Sequence, residues 1–384
     1  MPQKTRLFIP GPTPVPPQVA EAMARPLIGH RTQDFAGLYA RLTKKLQQVC
    51  GTVNEVYILT ASGTGGMEAA VASILNPGDK VLALVTGKFG ERFAELAKVY
   101  GAAVDAVEFG WGNPADVNLV EDRMKAGKYK AVLATHNETS TTVVNDIKSI
   151  GELTRKEGVL LVVDAVSSAG GIEMHADDWG VDVLITASQK ALMVPPGLAM
   201  VSMSPQAWEA VKKGRNPRYY LSLYAAKRSF ARYNTPYTPA VSLFVGLDAA
   251  LDMILSEGLD NVYRRHIAFG KATRAAMKSL GLKPLAPEEW ASPVVTGVWA
   301  PEGMNADDIR RSVLKDYGIL LAGGQEQLKG RIFRISHMGY IDAVDLLGMI
   351  AVIEIGLKKL GYPLALGTAT AAAQAVLAGG ELGV

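Results

Sequence analysis

The chain holds one cysteine, Cys50, in 384 residues. That excludes an intramolecular disulfide framework and any multi-cysteine zinc site, and it makes the cytoplasm the expected compartment. Charge of one sign is also missing. A net charge of +3 is close to neutral for this length, recruits neither nucleic acid nor an acidic membrane, and leaves small molecules as the expected partners. The opening Met1-Pro2-Gln3-Lys4-Thr5-Arg6-Leu7 lacks the apolar core of a secretory signal, and the prolines that follow oppose an amphipathic transit helix. Residues 361–380 carry no charge but are mostly Ala, Gly and Thr, with Gln374 and Pro363 among them. They predict a weak C-terminal helix or a loosely ordered tail rather than a membrane span. No repeat of solenoid period and no low-complexity linker interrupts the chain.

What is present is an ordinary globular composition, 48% hydrophobic and 20% charged, in a chain long enough for two or three domains. Between Val56 and Leu192, short β-rich runs alternate with helical patterns, which predicts βαβ units around a mostly parallel sheet. The expected strands are Val56 to Leu59, Lys80 to Val85, Ala103 to Glu108, Ala131 to Thr135, Leu160 to Val163, Val183 to Thr186 and Ala199 to Ser202. Helices are expected between them, including a short one around Asp177 to Gly180. Beyond Tyr237, long helical patterns lead to a smaller α+β unit with strands near Val294 to Trp299 and Arg331 to Ser336. The proline-rich Pro10 to Pro17 is neither helix interior nor central strand and reads as an extended arm crossing the surface. The expected division is an arm over 1–20, a large domain over 21–255, a small domain over 256–363 and an Ala-rich tail over 364–384.

Active sites in such sheets lie at the carboxyl ends of the strands. Asp164 ends one apolar run and Lys190 follows the next, so an acid and an amine could grip the two ends of an aromatic cofactor, its pyridinium nitrogen and its aldehyde carbon. That is the logic of pyridoxal phosphate (PLP) chemistry. Either residue alone is more commonly a turn cap or a surface charge. Their surroundings strengthen the case. Ser62-Gly63-Thr64-Gly65-Gly66 opens a helix and suits a phosphate, although it lacks the dinucleotide spacing and the lysine of a P-loop. Phe89, between two glycines near a strand end, could lie flat on a ring. His136-Asn137-Glu138-Thr139-Ser140-Thr141-Thr142 crowds hydroxyl and carboxylate groups at a third strand end, where they could reach a phenolic oxygen or simply cap their own turn.

Asp164-Ala165-Val166-Ser167-Ser168 together with Ser188-Gln189-Lys190-Ala191-Leu192-Met193-Val194-Pro195-Pro196-Gly197 resembles the class V, fold-type I, PLP-dependent aminotransferases, in particular the alanine–glyoxylate and serine–glyoxylate/serine–pyruvate branch. The resemblance runs from Pro10-Gly11-Pro12-Thr13 and Gly29-His30-Arg31 to Arg334. It implies an α/β PLP-transferase fold, with a seven-stranded, mostly parallel sheet flanked by helices and a smaller α+β C-terminal domain. It implies Lys190 as the Schiff-base lysine and Asp164 as partner of the pyridinium. Ser62, Gly63, Thr64 and Gln189 are implied as cofactor contacts, Phe89 as the ring stacker and Thr139 as the residue facing the cofactor oxygen. Thr238 is implied to reach the neighbouring subunit's cofactor phosphate, which makes a homodimer the expectation, and Arg334 to bind the substrate α-carboxylate.

The implied reaction moves an amino group from serine or alanine to glyoxylate or pyruvate by a ping-pong cycle. Aspartate remains an alternative donor, with His30, Arg31 and Arg232 as candidate partners for its side chain. Thr142 stands where Gly is common in the family, which puts the course of that loop in question. A cysteine desulfurase would need a thiol in the C-terminal half, whereas Cys50 lies in the other. From a different class, similar sequences have been labelled small subunits of soluble hydrogenases, yet a single cysteine cannot ligate an iron–sulfur cluster.

Overall fold

The structure is a computed structural model that describes residues 4–379. The chain opens with β1 (Arg6–Phe8), passes through the prolines, and enters α1 (Pro17–Met23) with Pro17 at the first helical position, where its missing N–H leaves no bond unmade. α2 (Gln33–Cys50) starts at Thr32, whose hydroxyl accepts the Phe35 N–H, and stops at Gly51 in the left-handed region, φ 61°. An alternating stretch follows: β2 (Val56–Thr60), α3 (Gly63–Ile74), β3 (Lys80–Val85), α4 (Lys88–Val99), β4 (Ala103–Glu108), α5 (Val117–Ala126) and β5 (Ala131–Thr135). A short hairpin, β6 (Asn137–Glu138) and β7 (Val143–Val144), precedes α6 (Ile147–Glu157), β8 (Leu160–Asp164), β9 (Val183–Ala187) and β10 (Leu198–Met203). Then come α7 (Pro205–Lys212), α8 (Leu223–Phe230), α9 (Val241–Glu257) and α10 (Leu259–Ser279). The last part is β11 (Val295–Trp299), α11 (Ala306–Tyr317), β12 (Ile319–Gly323), β13 (Ile332–Ser336), α12 (Ala343–Lys359) and α13 (Thr368–Ala378).

All seven strands expected in the first part pair in one sheet, in the order β2-β10-β9-β8-β5-β3-β4. Only β10 runs antiparallel to its neighbours, so the other six point the same way and end on one edge. The central strands are buried on both faces, which explains their unbroken apolar runs. One face packs on residues such as Phe35, Leu42, Met67 and Phe244, and the other on Val120, Met124, Ile147 and Ile150. A second sheet, β1-β12-β13-β11, packs against α10, α11, α12 and α13 through Phe269, Val313, Ile353 and Ala373. Among the described residues, no helix is long and apolar enough to cross a membrane.

The structure adds to the expectations and in one place changes them. Residues 6–8, ahead of the proline-rich stretch, join a sheet. β1 pairs in parallel with β12, and Phe8 is buried in the small-sheet core, because an apolar residue in an extended segment finds an unpaired strand edge there. No helix forms around Asp177 to Gly180. The Asp177 carboxylate instead accepts bonds from the Thr52 hydroxyl, the Val53 N–H and the Asn54 amide, which holds a turn ending at Gly180, φ 73°. Of the two alternatives for the tail, the helix forms: α13 lies against α10, and buried Glu354 accepts the Ala369 N–H at 2.7 Å and the Thr370 hydroxyl at 2.8 Å. The rest of the expected tail, 380–384, lies outside the described residues, as do residues 1–3 of the arm.

Candidate active site

Because β2, β3, β5, β8 and β9 are parallel, Ser62, Phe89, Thr139, Asp164 and Lys190 all emerge at the same sheet edge. Asp164 is the last residue of β8, paired with Thr135 on one side and Ile185 on the other, and is buried. Its Oδ1 accepts the Val166 N–H at 2.9 Å, and its Oδ2 has no partner among the described residues. Burial pushes its carboxyl up to about 6, against the lowering effects of the Val166 N–H, Lys190 and Arg92.

Lys190 lies three residues beyond β9, in a turn closed by the Ser188 hydroxyl on the Pro195 carbonyl. Its Nζ donates to the Pro10 carbonyl at 2.6 Å. Burial and then the nearby Arg334 charge bring the amine down to about 8, opposed by Asp164. Each of the pair thus sits in the other's field. Gln189, beside it, keeps its buried amide oxygen Oε1 without a partner.

α3 begins at Ser62, whose hydroxyl accepts the Gly65 N–H, leaving the first-turn N–H groups of Gly63 and Thr64 facing outward at a positive helix end. Gly63 is required, since a Cβ there would approach Val166 Cγ2 to 2.7 Å. Arg92, which the sequence reading did not single out, donates to the Thr64 hydroxyl at 3.2 Å and lies 4.9 Å from the centre of the Phe89 ring. Its signal in the sequence is its position one helical turn after Phe89.

The cluster after β5 spends most of its polar groups on protein partners. Glu138, Ser140 and Thr141 bond to residues 86–90 at the end of β3. Thr139 shares a 2.6 Å hydrogen bond with Ser167, which in turn donates to the Asn137 carbonyl. Thr142 adopts φ 59°, the left-handed conformation that makes Gly common there. Its strain is offset by the Gly297 N–H on its hydroxyl oxygen and the Ser292 N–H on its carbonyl. This loop therefore ties the large sheet to β11.

Arg334, on β13, is buried and donates from Nη1 to the Thr139 carbonyl at 2.7 Å and from Nε to the Gly323 carbonyl at 2.9 Å. Its Nη2 has no partner among the described residues. Burial lowers it to about 10, while the Glu138 charge raises it. Thr238 is exposed, on a patch with Thr60, Tyr220 and Tyr237, and among the described residues makes no hydrogen bond to the Lys190 group. Arg31 donates to the Asn234 side chain and to the Thr235 carbonyl, each at 2.6 Å, and so anchors the segment that carries Thr238.

The donor set fits PLP. A carboxylate oxygen and an amide oxygen wait unpaired, an amine of lowered basicity stands in Asp164's field, and helix N–H groups face outward.

The Aminotransferase class-V family matches residues 6–341. The chain is 44% identical to a protein named soluble hydrogenase, small subunit, from Synechococcus sp., over 94% of this chain and 95% of that one. It is 39% identical to an L-aspartate–glyoxylate aminotransferase from Paracoccus denitrificans (97% and 96% covered) and 36% identical to a serine–glyoxylate aminotransferase from Arabidopsis thaliana (98% and 96%). The crystal structure of pyridoxamine-pyruvate aminotransferase from Mesorhizobium loti superposes with a TM-score of 0.94 at 32% identity, over 98% of this chain and 97% of that one. Sequence and fold agree with what the strand ends hold out to a ligand: this chain belongs to the class V aminotransferases, which are PLP-dependent enzymes.

Proposed function

We propose that the protein transfers the amino group of a small amino acid, serine or alanine, to a small 2-oxo acid such as glyoxylate or pyruvate, with ping-pong kinetics. The observation that carries the reading is the placement of Asp164 and Lys190 on adjacent strand ends, each acting on the other's charge. Bound PLP supplies an aldehyde that takes up the amino group and a ring that accepts electrons. Asp164, through its free Oδ2, holds the ring nitrogen protonated. Lys190 would hold the aldehyde. Its amine would move the proton at the substrate Cα, a task it is suited to because burial has brought it down to about 8, near neutral pH. Arg334 grips the α-carboxylate with the edge its two carbonyl partners leave open, fixing which Cα bond is broken. Ser62, Gly63 and Thr64 hold the phosphate, Gln189 contacts the cofactor, Phe89 covers the ring, and Thr139 faces the ring oxygen. Thr238, exposed here and anchored through Arg31, completes the site of a second subunit.

Aspartate is a second reading, supported by the Paracoccus relative. Arg31 is a poor partner for its side chain because its guanidinium is committed to the 234–236 segment. The hydrogenase name of the Synechococcus relative raises a non-enzymatic reading. The lone Cys50 is buried, with its thiol pushed up to about 12, and offers nothing to a cluster. A yellow purified protein that bleaches with an amino acid decides for the enzyme, and a colourless one indifferent to PLP decides against it. Lys190→Ala removes both the bound-cofactor absorbance and turnover; retention of both refutes the assignment. Serine, alanine and aspartate tested against glyoxylate, pyruvate and 2-oxoglutarate distinguish the donors.

A further inference from the structure

α4 begins at Gly87, which has no side chain with which to cap it. Its first N–H groups are nonetheless all bonded, and every acceptor comes from the loop after the neighbouring strand. Ser140 Oγ accepts the Lys88 N–H at 2.9 Å, and Glu138 Oε2 accepts both the Phe89 and the Gly90 N–H at 3.0 Å. The other carboxylate oxygen, Oε1, accepts the Ser140 N–H at 3.1 Å and its hydroxyl at 2.5 Å. Glu138 is fully buried. All four of its contacts are donors, an arrangement that suits a carboxylate and not a carboxylic acid, and a negative charge at a helix N-terminus is favourable.

A helix start ordinarily takes its cap from Ser, Thr, Asp or Asn at the position Gly87 occupies. A Cβ at Gly87 would lie 2.7 Å from Glu138 Cγ and also collide with Ser140 Oγ. The chain therefore forgoes a local cap in favour of one fixed to the end of β5, beside Thr139 and Asp164. The second residue of this helix is Phe89.

We propose that Glu138 is a positioning residue for the cofactor: by capping α4 from the end of β5, it fixes the Phe89 ring at the distance and tilt from Asp164 at which it covers the bound ring. This rests on the PLP reading above. A carboxamide cannot replace the carboxylate here. If its oxygen serves the two helix N–H groups, its NH2 meets the Ser140 N–H; reversed, it meets both helix donors.

The test is a double-mutant cycle on PLP affinity, read by absorbance titration of the cofactor-stripped protein, with Glu138→Gln, Phe89→Leu and the pair. Loss of a buried charged acceptor predicts that Glu138→Gln weakens PLP about 10- to 100-fold in the native background. In the Phe89→Leu background it should weaken PLP less than about twofold, because the ring that Glu138 aims is gone. An equal loss in both backgrounds, or no loss in either, overturns the proposal. Should Glu138→Gln fail to fold, Ser140→Ala in the same cycle removes one donor to Glu138 and the acceptor of the Lys88 N–H; the same dependence on Phe89 is expected, and additivity refutes it. A native protein that binds no PLP would instead refute the proposed function.

Discussion

Lys190 Nζ donates to the carbonyl of Pro10, 180 residues earlier, at 2.6 Å. The same arm returns two more bonds to the lysine turn, Thr13 N–H to the Gln189 carbonyl and Thr13 Oγ1 to the Lys190 carbonyl. Two residues before Pro10, β1 is paired into the small sheet, so the amine is positioned by a segment anchored in the other layer of the molecule.

Gly11 allows that approach. At φ 152°, a Cβ would lie 2.8 Å from both Lys190 Cε and Nζ. Gly11→Ala is expected to slow covalent attachment of PLP by roughly 10- to 100-fold, from strain of about 1–3 kcal/mol, measured by stopped-flow absorbance. In the cofactor-stripped native protein, acylation of Lys190 followed by peptide mass spectrometry should titrate with a midpoint near 8. A midpoint near the ordinary lysine value would contradict its burial.

Asp164 opposes folding at neutral pH when no cation pairs with it. Its folded pKa, about 6, lies above its ordinary 3.8, so its favourable contribution is fully present below 3.8 and is lost as pH rises through 6. Asp164→Asn should therefore raise the stability of the cofactor-stripped protein at pH 8 by up to about 3 kcal/mol, with little effect at pH 4, while weakening PLP binding. Denaturant melts at the two pH values check this, and an equal effect at both would refute it.

Arg334→Ala should raise KM for every amino and oxo acid by at least about 100-fold while PLP affinity changes little, since its bonds run to the Thr139 and Gly323 carbonyls and its remaining edge is free. Arg334→Lys should recover little, because an ammonium cannot present the planar fork. Steady-state kinetics beside a PLP titration separate the two effects.

His136 and His266 predict the acid limb. Burial lowers His136 to about 4 and His266 to about 3. Groups with depressed histidine pKa values give stability that is present above about 6.5 and lost as pH falls towards the folded values. For His136 alone the loss approaches roughly 3 kcal/mol. His136→Phe, which retains an aromatic edge against Trp179, should flatten the fall between pH 6 and 4 in thermal melts. An unchanged slope would remove His136 from that role.

Much of this was legible in the chain. The central strands of the large sheet announce themselves because strands buried on both faces must be apolar throughout, and their ends mark where Asp164 and Lys190 emerge. α1, α2, α7, α8 and β12 lie outside the sequence-based expectation. β1 depends on an edge more than 300 residues away, which no local window contains. The partners of the hydroxyl cluster are non-local for a related reason: Ser140 and Thr141 bond to residues 86–88 on the adjacent strand end.

By itself the sequence determined periodicity, caps and the choice of an acid after one buried strand and an amine after the next, because those depend on neighbours a few residues apart. Only the tertiary structure decided that Pro10 would meet Lys190, that Glu138 would serve Phe89, and that the Arg334 side chain would reach the Thr139 carbonyl. Each of those bonds joins groups whose burial creates the need for a partner, and burial is a property of the packed layers rather than of any stretch of chain.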